Sequence, residues 1–173
     1  DTLMQKWPPR DRNAFKFLQK ASDDYIEAHG REVYQGGTIR NLRTNEVEER
    51  QRDKFLKAIQ LFESGHLPKG SHADFERADI DLNATYKKTL TLAAAQDFQD
   101  DNGLIKPEEI RNAERAWLKY RNAWVDFARI HYPDTDPNAW LTLLTRNRYW
   151  SLRVTLCEVG WKDAGCKNVE SDM

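Results

Sequence analysis

Four polar side chains fall on the apolar faces of predicted helices, where charged groups rarely occur without a partner. Arg121 follows Trp117 by four residues, so the two share a helix face, and Arg148 lies within the apolar face of its own helix. Asp79 and Asn83 are one turn apart beside an apolar stripe. Because buried charge is costly unless it is paired, we expect this polar pair to meet Arg121 or Arg148 on neighbouring helices. Such a network either fixes the register of the helices or binds a polar ligand, and the pattern favours the first.

The sequence lacks the common motifs of catalysis and cofactor binding. It contains no nucleophile elbow, phosphate-binding P-loop, HExxH zinc motif or EF-hand loop. The four histidines are scattered, and neither cysteine has the neighbours of a zinc site. Acidic pairs lie at predicted helix surfaces and turns, where helix caps explain them better than the opposed carboxylates of a glycosidase. We therefore predict no enzymatic activity, no metal site and no cofactor.

Composition argues against two classes of partner. The chain has 173 residues, with 27 basic and 28 acidic side chains and a net charge of −1. A nucleic-acid-binding surface needs a basic surplus, so nucleic acid is not an expected partner. No apolar run approaches the roughly 20 residues of a membrane-spanning helix. The first residue is Asp1, which suggests a mature or trimmed chain from which a signal peptide has been removed.

The elements that must position these side chains are helices. Apolar residues recur every three or four positions along most of the chain, and strand-like alternation is nearly absent. The sequence therefore predicts an all-α fold of about five helices in one domain over residues 1–173, with the last three helices forming an antiparallel bundle. We expect Gly30 to stop the first helix. The predicted helices span about 11–29, 38 or 44 to 63, 73–98, 107–132 and 137–156.

The fourth predicted helix carries a continuous aromatic stripe. Its apolar residues recur at steps of three and four from Ile110 to His131. A stripe this regular is more often core than ligand platform, and a stacking surface for nucleic-acid bases would need surplus positive charge nearby. We therefore predict core positions for Trp117, Trp124 and Phe127.

Three segments occur in an order and at a spacing that resemble a known family. They are "ADIDLNATY" at 78–86, "IRNAERAWLKYRNAW" at 110–124 and "LTRNR" at 144–148. Together they resemble the lysozyme-inhibitor LprI-like family, and the N-terminal part is similar to longer members that carry an extra helical segment. The resemblance covers roughly Phe15 to Arg153.

The resemblance implies a small, secreted, mostly periplasmic helical domain, and some members of the family inhibit lysozyme. Together with a linker-like segment, it divides the chain into an N-terminal helical pair (11–63), an LprI-like three-helix core (72–158) and an irregular tail (159–173). We therefore predict a non-enzymatic inhibitor of a peptidoglycan-degrading enzyme, either a lysozyme inhibitor or an immunity protein against a secreted hydrolase. The alternative is a structural or adaptor module of the bacterial envelope with no enzyme target.

From the residues alone, Cys157 and Cys166 leave two alternatives, which are free thiols or a disulfide that closes the C-terminal tail. Members of the family often carry one cysteine before the first motif and another after the second, and neither is present here. In the periplasm that the resemblance implies, a bond between Cys157 and Cys166 is a local replacement, and we expect it to form.

Two surfaces remain for a protein partner once the aromatic stripes are assigned to the core. The first is the loop at 131–140, where Tyr132 lies beside Asp134 and Asp136 and prolines limit flexibility. An aromatic anchor with acidic neighbours suits the cleft of a basic hydrolase. A plain helix connection, with Asp136 as a cap and Trp140 in the core, is the simpler explanation and the one we favour. The second surface is the charged face of the second helix formed by Glu46, Glu49 and Asp53, and the explanation we favour there is a solvated helix face supported by its own ion pairs.

Overall fold

A computed structural model of the protein describes residues 4–32, 40–95, 105–158 and 166. A short 3-10 turn, Met4–Lys6, precedes five α-helices in these ranges. They are α1 (Pro9–Glu32), α2 (Arg40–Glu63), α3 (His72–Ala94), α4 (Pro107–His131) and α5 (Pro137–Glu158). The described part of the chain contains no strand, and the predicted all-α fold is confirmed.

Local sequence explains where three of the helices begin. Pro107 and Pro137 occupy the first position of α4 and α5, where a missing backbone N–H costs little. Ser71 starts α3 with a capping box, because its hydroxyl accepts from the Asp74 amide while the Asp74 carboxylate accepts from the Ser71 amide. The predicted starts of these helices therefore lie within one residue of the observed starts.

The predicted end of α1 is wrong. We expected Gly30 to stop the helix, but α1 continues to Glu32. Gly30 is instead a packing position, because a Cβ there would lie 3.0 Å from Glu48 Cγ and 3.2 Å from Thr44 Cγ2 on α2. The additional residues carry the Glu32 carboxylate into the protein interior, where it is fully buried.

Other predicted boundaries are met only in part. α2 begins at Arg40, between the two starts that the sequence offered. The described part of α3 ends at Ala94, and the predicted end at Phe98 lies outside the described residues. Apart from Cys166, the predicted irregular tail at 159–173 also lies outside them.

The helices pack along their lengths. α1 lies mainly against α4, and α3 lies mainly against α5. α1 and α4 run antiparallel, since Arg10 donates to the carbonyl of Ile130 at one end while Tyr25 stacks on Tyr120 further along. The N-terminal helices thus pack directly on the segment that carries the family motifs.

Contacts between α4 and α5 are compatible with the predicted antiparallel arrangement of the last three helices. Trp140, near the start of α5, stacks on Trp124 in the second half of α4 at 5.7 Å between ring centroids. Arg148, further along α5, bonds Glu114 in the first half of α4. α4 therefore lies between the N-terminal helices and α5, and its aromatic stripe is enclosed on both sides.

Buried apolar residues form two clusters, and each draws on four of the five helices or their neighbouring residues. The predicted core anchors Trp117, Trp124 and Phe127 are 2%, 1% and 1% exposed, so their assignment to the core is confirmed. The first cluster contains Trp7, Phe15, Leu18, Phe55, Ile59, Phe62, Trp124, Val125, Phe127, Ala128, Trp140 and Leu144. The second contains Tyr25, Leu82, Ala93, Ile105, Ile110, Trp117, Leu152 and Leu156.

Candidate functional site

A shallow groove of about 320 Å³ separates α3 from α4 on the protein surface. Its lining comes entirely from the first two family-like motifs. The residues are Asp79, Leu82, Asn83 and Tyr86 on α3, and Arg111, Glu114, Arg115, Trp117, Leu118 and Arg121 on α4. They recur at steps of three and four in each helix, which places them on the two faces that meet. The motifs therefore correspond to one continuous surface.

Arg121 is the most unusual residue of the groove. Its side chain is only 16% exposed, and its guanidinium lies over the Trp117 ring at 5.0 Å and near the Phe75 ring at 6.0 Å. Its nearest carboxylate is Asp79, with 4.0 Å between Nη1 and Oδ1, and its buried Nε has no hydrogen-bond partner among the described residues. Burial lowers the pKa of Arg121, while Asp79 and Glu114 act in the opposite direction. Arg121 is thus a charged group with few partners for its donors.

Asp79 and Asn83 bond mainly to each other. The Asn83 side-chain amide donates to the Asp79 carbonyl at 2.8 Å and to its carboxylate at 2.9 Å. The structure therefore brings Asp79, Asn83 and Arg121 together along one side of the groove, with Arg121 only loosely paired.

Arg148 does not join that group, which corrects the sequence expectation for its partners. Its Nη1 and Nη2 donate to the two carboxylate oxygens of Glu32 at 2.8 and 2.9 Å, and its Nε donates to Glu114 at 2.9 Å. Arg148 and Glu32 are both fully buried, and His29 Nδ1 lies 3.0 Å from Glu32. Arg148 and Glu32 thus form a bidentate pair, and a second carboxylate, that of Glu114, accepts from Nε. This arrangement offsets the cost of burying a guanidinium.

The buried pair shifts the titration of its members in opposite directions. Burial raises the pKa of Glu32, but the charge of Arg148 and the bond with His29 outweigh it, so the pKa is lowered. Burial lowers the pKa of Arg148, and the carboxylates of Glu32 and Glu114 reverse this, so its pKa is raised. Burial raises the pKa of Glu114 against the attraction of Arg148. Glu114 lines the groove while bonding Arg148, so it connects the groove to the buried pair.

The predicted partner loop is largely engaged in the fold. The Tyr132 hydroxyl donates to Glu63 at 2.7 Å, and its ring stacks on buried Trp140 at 5.3 Å. The Asp136 carboxylate accepts from the Asn138 amide at 2.8 Å and caps α5. Asp134 is exposed. The simpler explanation favoured from the sequence, a helix connection with Trp140 in the core, agrees with these contacts.

The second predicted partner surface lies on α2. Glu46, Glu49 and Asp53 are all exposed there. The structure keeps them apart from the α3–α4 groove lining, so they form a separate acidic surface rather than part of the same site.

Sequence analysis missed a second polar cluster, centred on His131. Its Nδ1 lies 2.8 Å from Asp11 and its Nε2 lies 2.8 Å from Glu63, and Glu63 also accepts from the Trp7 indole at 3.0 Å. These residues come from α1, α2, α4 and the segment before α1. In the sequence, His131 lies on the apolar stripe of α4, which predicts a core position. That pattern does not predict which residues of other helices contact the histidine.

This cluster predicts a stability loss in acid. Burial raises the pKa of Asp11, but its hydrogen bonds with His131 and Arg10 outweigh burial and lower the pKa below the ordinary 3.8. Burial likewise raises the pKa of Glu63, and its hydrogen bonds with Tyr132 and His131 lower it below the ordinary 4.5. The folded state then binds fewer protons than the unfolded state, so the stabilisation is present above these ordinary values and is lost as pH falls through the lower folded values. Urea unfolding between pH 2 and 6 should show a flatter dependence for Asp11→Asn than for wild type.

The matched control for that measurement is Asn13→Ala, an exposed neutral position on the same turn of α1. An identical pH dependence in wild type and Asp11→Asn would contradict the assigned role of the cluster.

Of the two alternatives for the cysteines, the structure contains the disulfide Cys157–Cys166, with a sequence separation of nine residues. Reduction is expected to lower the free energy of unfolding by about 2–3 kcal/mol, because the open loop restores chain entropy to the unfolded state. Denaturation with and without reductant measures this, and a Cys157→Ser/Cys166→Ser variant should not respond to reductant. Two free thiols in mass spectra of unreduced protein would contradict the bond.

The described ranges contain neither a metal-binding cluster nor a membrane-spanning helix. No group of three or more histidine, cysteine, aspartate or glutamate side chains there is placed to hold a metal ion. No described helix is long and apolar enough to cross a membrane.

The fold and the groove together define a small all-helical domain with a polar surface site over a buried ion pair. Residues 70–150 match the family model of lysozyme inhibitor LprI, which confirms the resemblance over just under half of the chain. That family is a class of inhibitors rather than of enzymes. No curated protein and no solved structure gives a significant match. All ten groove residues lie within the matched segment, whereas Glu32 lies outside it.

Proposed function

We propose that this chain is a non-enzymatic, periplasmic or secreted binding protein that inhibits a peptidoglycan-degrading enzyme, as a lysozyme inhibitor or as an immunity protein against a secreted hydrolase. The observation that carries the proposal is the match of residues 70–150 to an inhibitor family of that kind. The groove supports it, because the matched motifs converge on one surface with charged, aromatic and apolar side chains.

The disulfide supports the proposed location. Disulfides persist in oxidising compartments such as the periplasm and are rare where thiols are kept reduced. The bond between Cys157 and Cys166 near the C-terminal end of α5 fits a protein that works outside the cytoplasm.

A rigid scaffold supports an inhibitory role. The two helices of the groove are held by the second apolar cluster, to which the groove residues Leu82 and Trp117 belong, so little conformational entropy is lost when a partner binds. The exposed acidic side chains of Glu46, Glu49 and Asp53 on α2 are complementary in charge to a basic enzyme.

Purified protein is expected to inhibit at least one lysozyme in a panel of lysozymes and peptidoglycan amidases. The measurement is the clearing rate of a peptidoglycan suspension at increasing ratios of protein to enzyme, with the binding ratio determined by titration calorimetry. Inhibition should saturate at a fixed stoichiometry, since a folded inhibitor occupies one site on the enzyme. Heat-unfolded, reduced protein is the control.

No binding and no inhibition across the panel would contradict the proposal. An envelope protein recovered by cross-linking, in the absence of any hydrolase, would then favour the structural or adaptor role.

A further inference from the structure

The carboxylates of the α3–α4 groove have close partners within the protein, whereas Arg121 has no close carboxylate among the described residues. The two carboxylates of the groove already have partners, since Asp79 accepts from Asn83 at the surface and Glu114 accepts from Arg148. The groove carries three arginines against these two carboxylates, so its lining has a net charge of +1. Among the described residues, Glu108 pairs with Arg111 and Arg115 next to the groove, so Arg121 is the arginine of the lining without a close carboxylate.

Two of the three arginines are held by partners at the surface, which are Glu108 for both and also Asn112 for Arg115. Arg111 lies 3.5 Å and Arg115 lies 2.9 Å from Glu108, and the side chains of all three are about half exposed or more. Exposed pairs of this kind contribute little to stability and exchange partners readily. Both arginines can therefore reorient toward an incoming negative group without a large cost to the fold.

Arg121 differs because it is fixed in place. Its guanidinium is held over the Trp117 ring, and its nearest carboxylate is at the 4.0 Å limit of an ion pair. Its Nε, unpartnered among the described residues, is buried, so an incoming carboxylate is bound by the two Nη groups, which a positioned guanidinium offers as parallel donors. Arg121 is the strongest anchor that the groove offers.

The groove also has the apolar contacts that a protein partner requires. Leu118 is 39% exposed at its side and Tyr86 is partly exposed, whereas Trp117 is buried and only supports Arg121. Arginine and aromatic residues are the types that contribute most energy at the centres of protein interfaces. A small anion alone would use the charge but not these side chains.

We propose that the α3–α4 groove is the surface that meets the target hydrolase, and that Arg121 receives a carboxylate from the substrate cleft of that enzyme. This inference rests on the proposed function. Glycosidases of the lysozyme kind carry two carboxylates that flank the scissile bond, so an arginine placed there occupies the cleft and neutralises groups needed for catalysis.

The test is a double-mutant cycle with the lysozyme that the inhibition assay selects. Arg121→Gln is expected to weaken binding of the native enzyme about 30-fold, the factor that corresponds to about 2 kcal/mol at an interface hot spot. Against an enzyme whose catalytic carboxylates are replaced by amides, Arg121→Gln should cause little further loss, because the partner of Arg121 is already gone.

Controls separate docking from folding. Arg129→Gln removes an exposed arginine of the same helix that lies outside the groove, and it should bind as wild type does. Asn83→Glu places a carboxylate at an exposed position of the groove, where it competes for Arg121, and it should weaken binding; its thermal unfolding is measured alongside, because the new carboxylate lies next to Asp79. Asp134→Ala tests the loop surface and should leave affinity unchanged.

A second measurement needs no enzyme. An N-acetylated glutamate peptide is titrated into labelled protein, and the NMR signals of the Arg121 Nε–H and the Trp117 indole are followed. Shifts that saturate in wild type and vanish in Asn83→Glu are expected. No shift at either group would overturn the carboxylate specificity of the groove.

The outcomes distinguish the two proposals. If a lysozyme is inhibited but Arg121→Gln and Asn83→Glu bind it as wild type does, the groove assignment is overturned and the proposed function stands. If the glutamate peptide binds at Arg121 while no enzyme in the panel is bound, the proposed function fails and the hydrolase partner is overturned with it. Binding of a soluble peptidoglycan fragment through Arg121, with enzyme affinity unaffected by the variants, also overturns the docking surface.

Discussion

Replacing Arg148 with Met is expected to lower the free energy of unfolding by about 3–5 kcal/mol. The substitution removes the bidentate partner of Glu32 and leaves that carboxylate buried without its counter-charge. Equilibrium urea unfolding with tryptophan fluorescence measures the loss.

Arg146→Met is the matched control for this variant. Arg146 lies two residues away on α5, its side chain is 54% exposed, and its contact with Asp74 is 3.8 Å long. We expect a loss of less than about 1 kcal/mol, as for other exposed pairs. The double variant Glu32→Met/Arg148→Met should recover part of the lost stability, because it removes both buried charges. Equal losses for Arg146→Met and Arg148→Met would contradict the role assigned to the buried pair.

Replacing Trp117 with Ala is expected to lower the free energy of unfolding by about 3–5 kcal/mol, the range for large aromatic truncations in a core. Trp117 is 2% exposed, belongs to the second apolar cluster, and supports the Arg121 guanidinium. Thermal and chemical unfolding measure the loss.

Leu118→Ala is the control for Trp117→Ala. Leu118 is the next residue on α4 but is 39% exposed, so a loss of less than about 1 kcal/mol is expected. A Trp117→Ala variant that keeps wild-type stability and loses only partner binding would show that Trp117 serves as a surface anchor instead of a core residue.

Helical periodicity was sufficient to predict the fold class and much of the core. Local patterns determine the starts of α3, α4 and α5, because caps and prolines act within a few residues of the helix they begin. The aromatic residues of α4 recur every three or four positions along the whole helix, so they lie on one continuous face. Burial of that face follows once α4 is recognised as a helix that packs against its neighbours.

Partner identity for the buried polar groups was much harder to predict. Arg148 was recognised as a buried charge, but its partner Glu32 lies 116 residues away along the chain. Gly30 was interpreted as the end of α1, which removed Glu32 from consideration. The error arose because a glycine within a helix and a glycine that ends one have the same local sequence signal, and only the packing against α2 distinguishes them.

The same limit applies to Tyr132. Beside Asp134 it has the composition of an interface anchor, yet its hydroxyl bonds Glu63 and its ring stacks on Trp140. Whether an aromatic side chain near a loop is available to a partner depends on what another helix brings next to it. In contrast, Asp79 and Asn83 were expected to meet an arginine of a neighbouring helix, and the pairing of α3 with α4 brings them next to Arg121.

The bond between Arg148 and Glu32 has a consequence for how the chain can be divided. Similarity to the inhibitor family begins at residue 70, whereas the group that neutralises Arg148 is supplied by α1. A chain shortened to begin at residue 70 would retain every motif but would lose a counter-ion from its interior. Such a truncation is expected to behave as a charge mutation in the core, so we expect the smallest cooperatively folding unit to include α1 as well as the segment recognised by similarity.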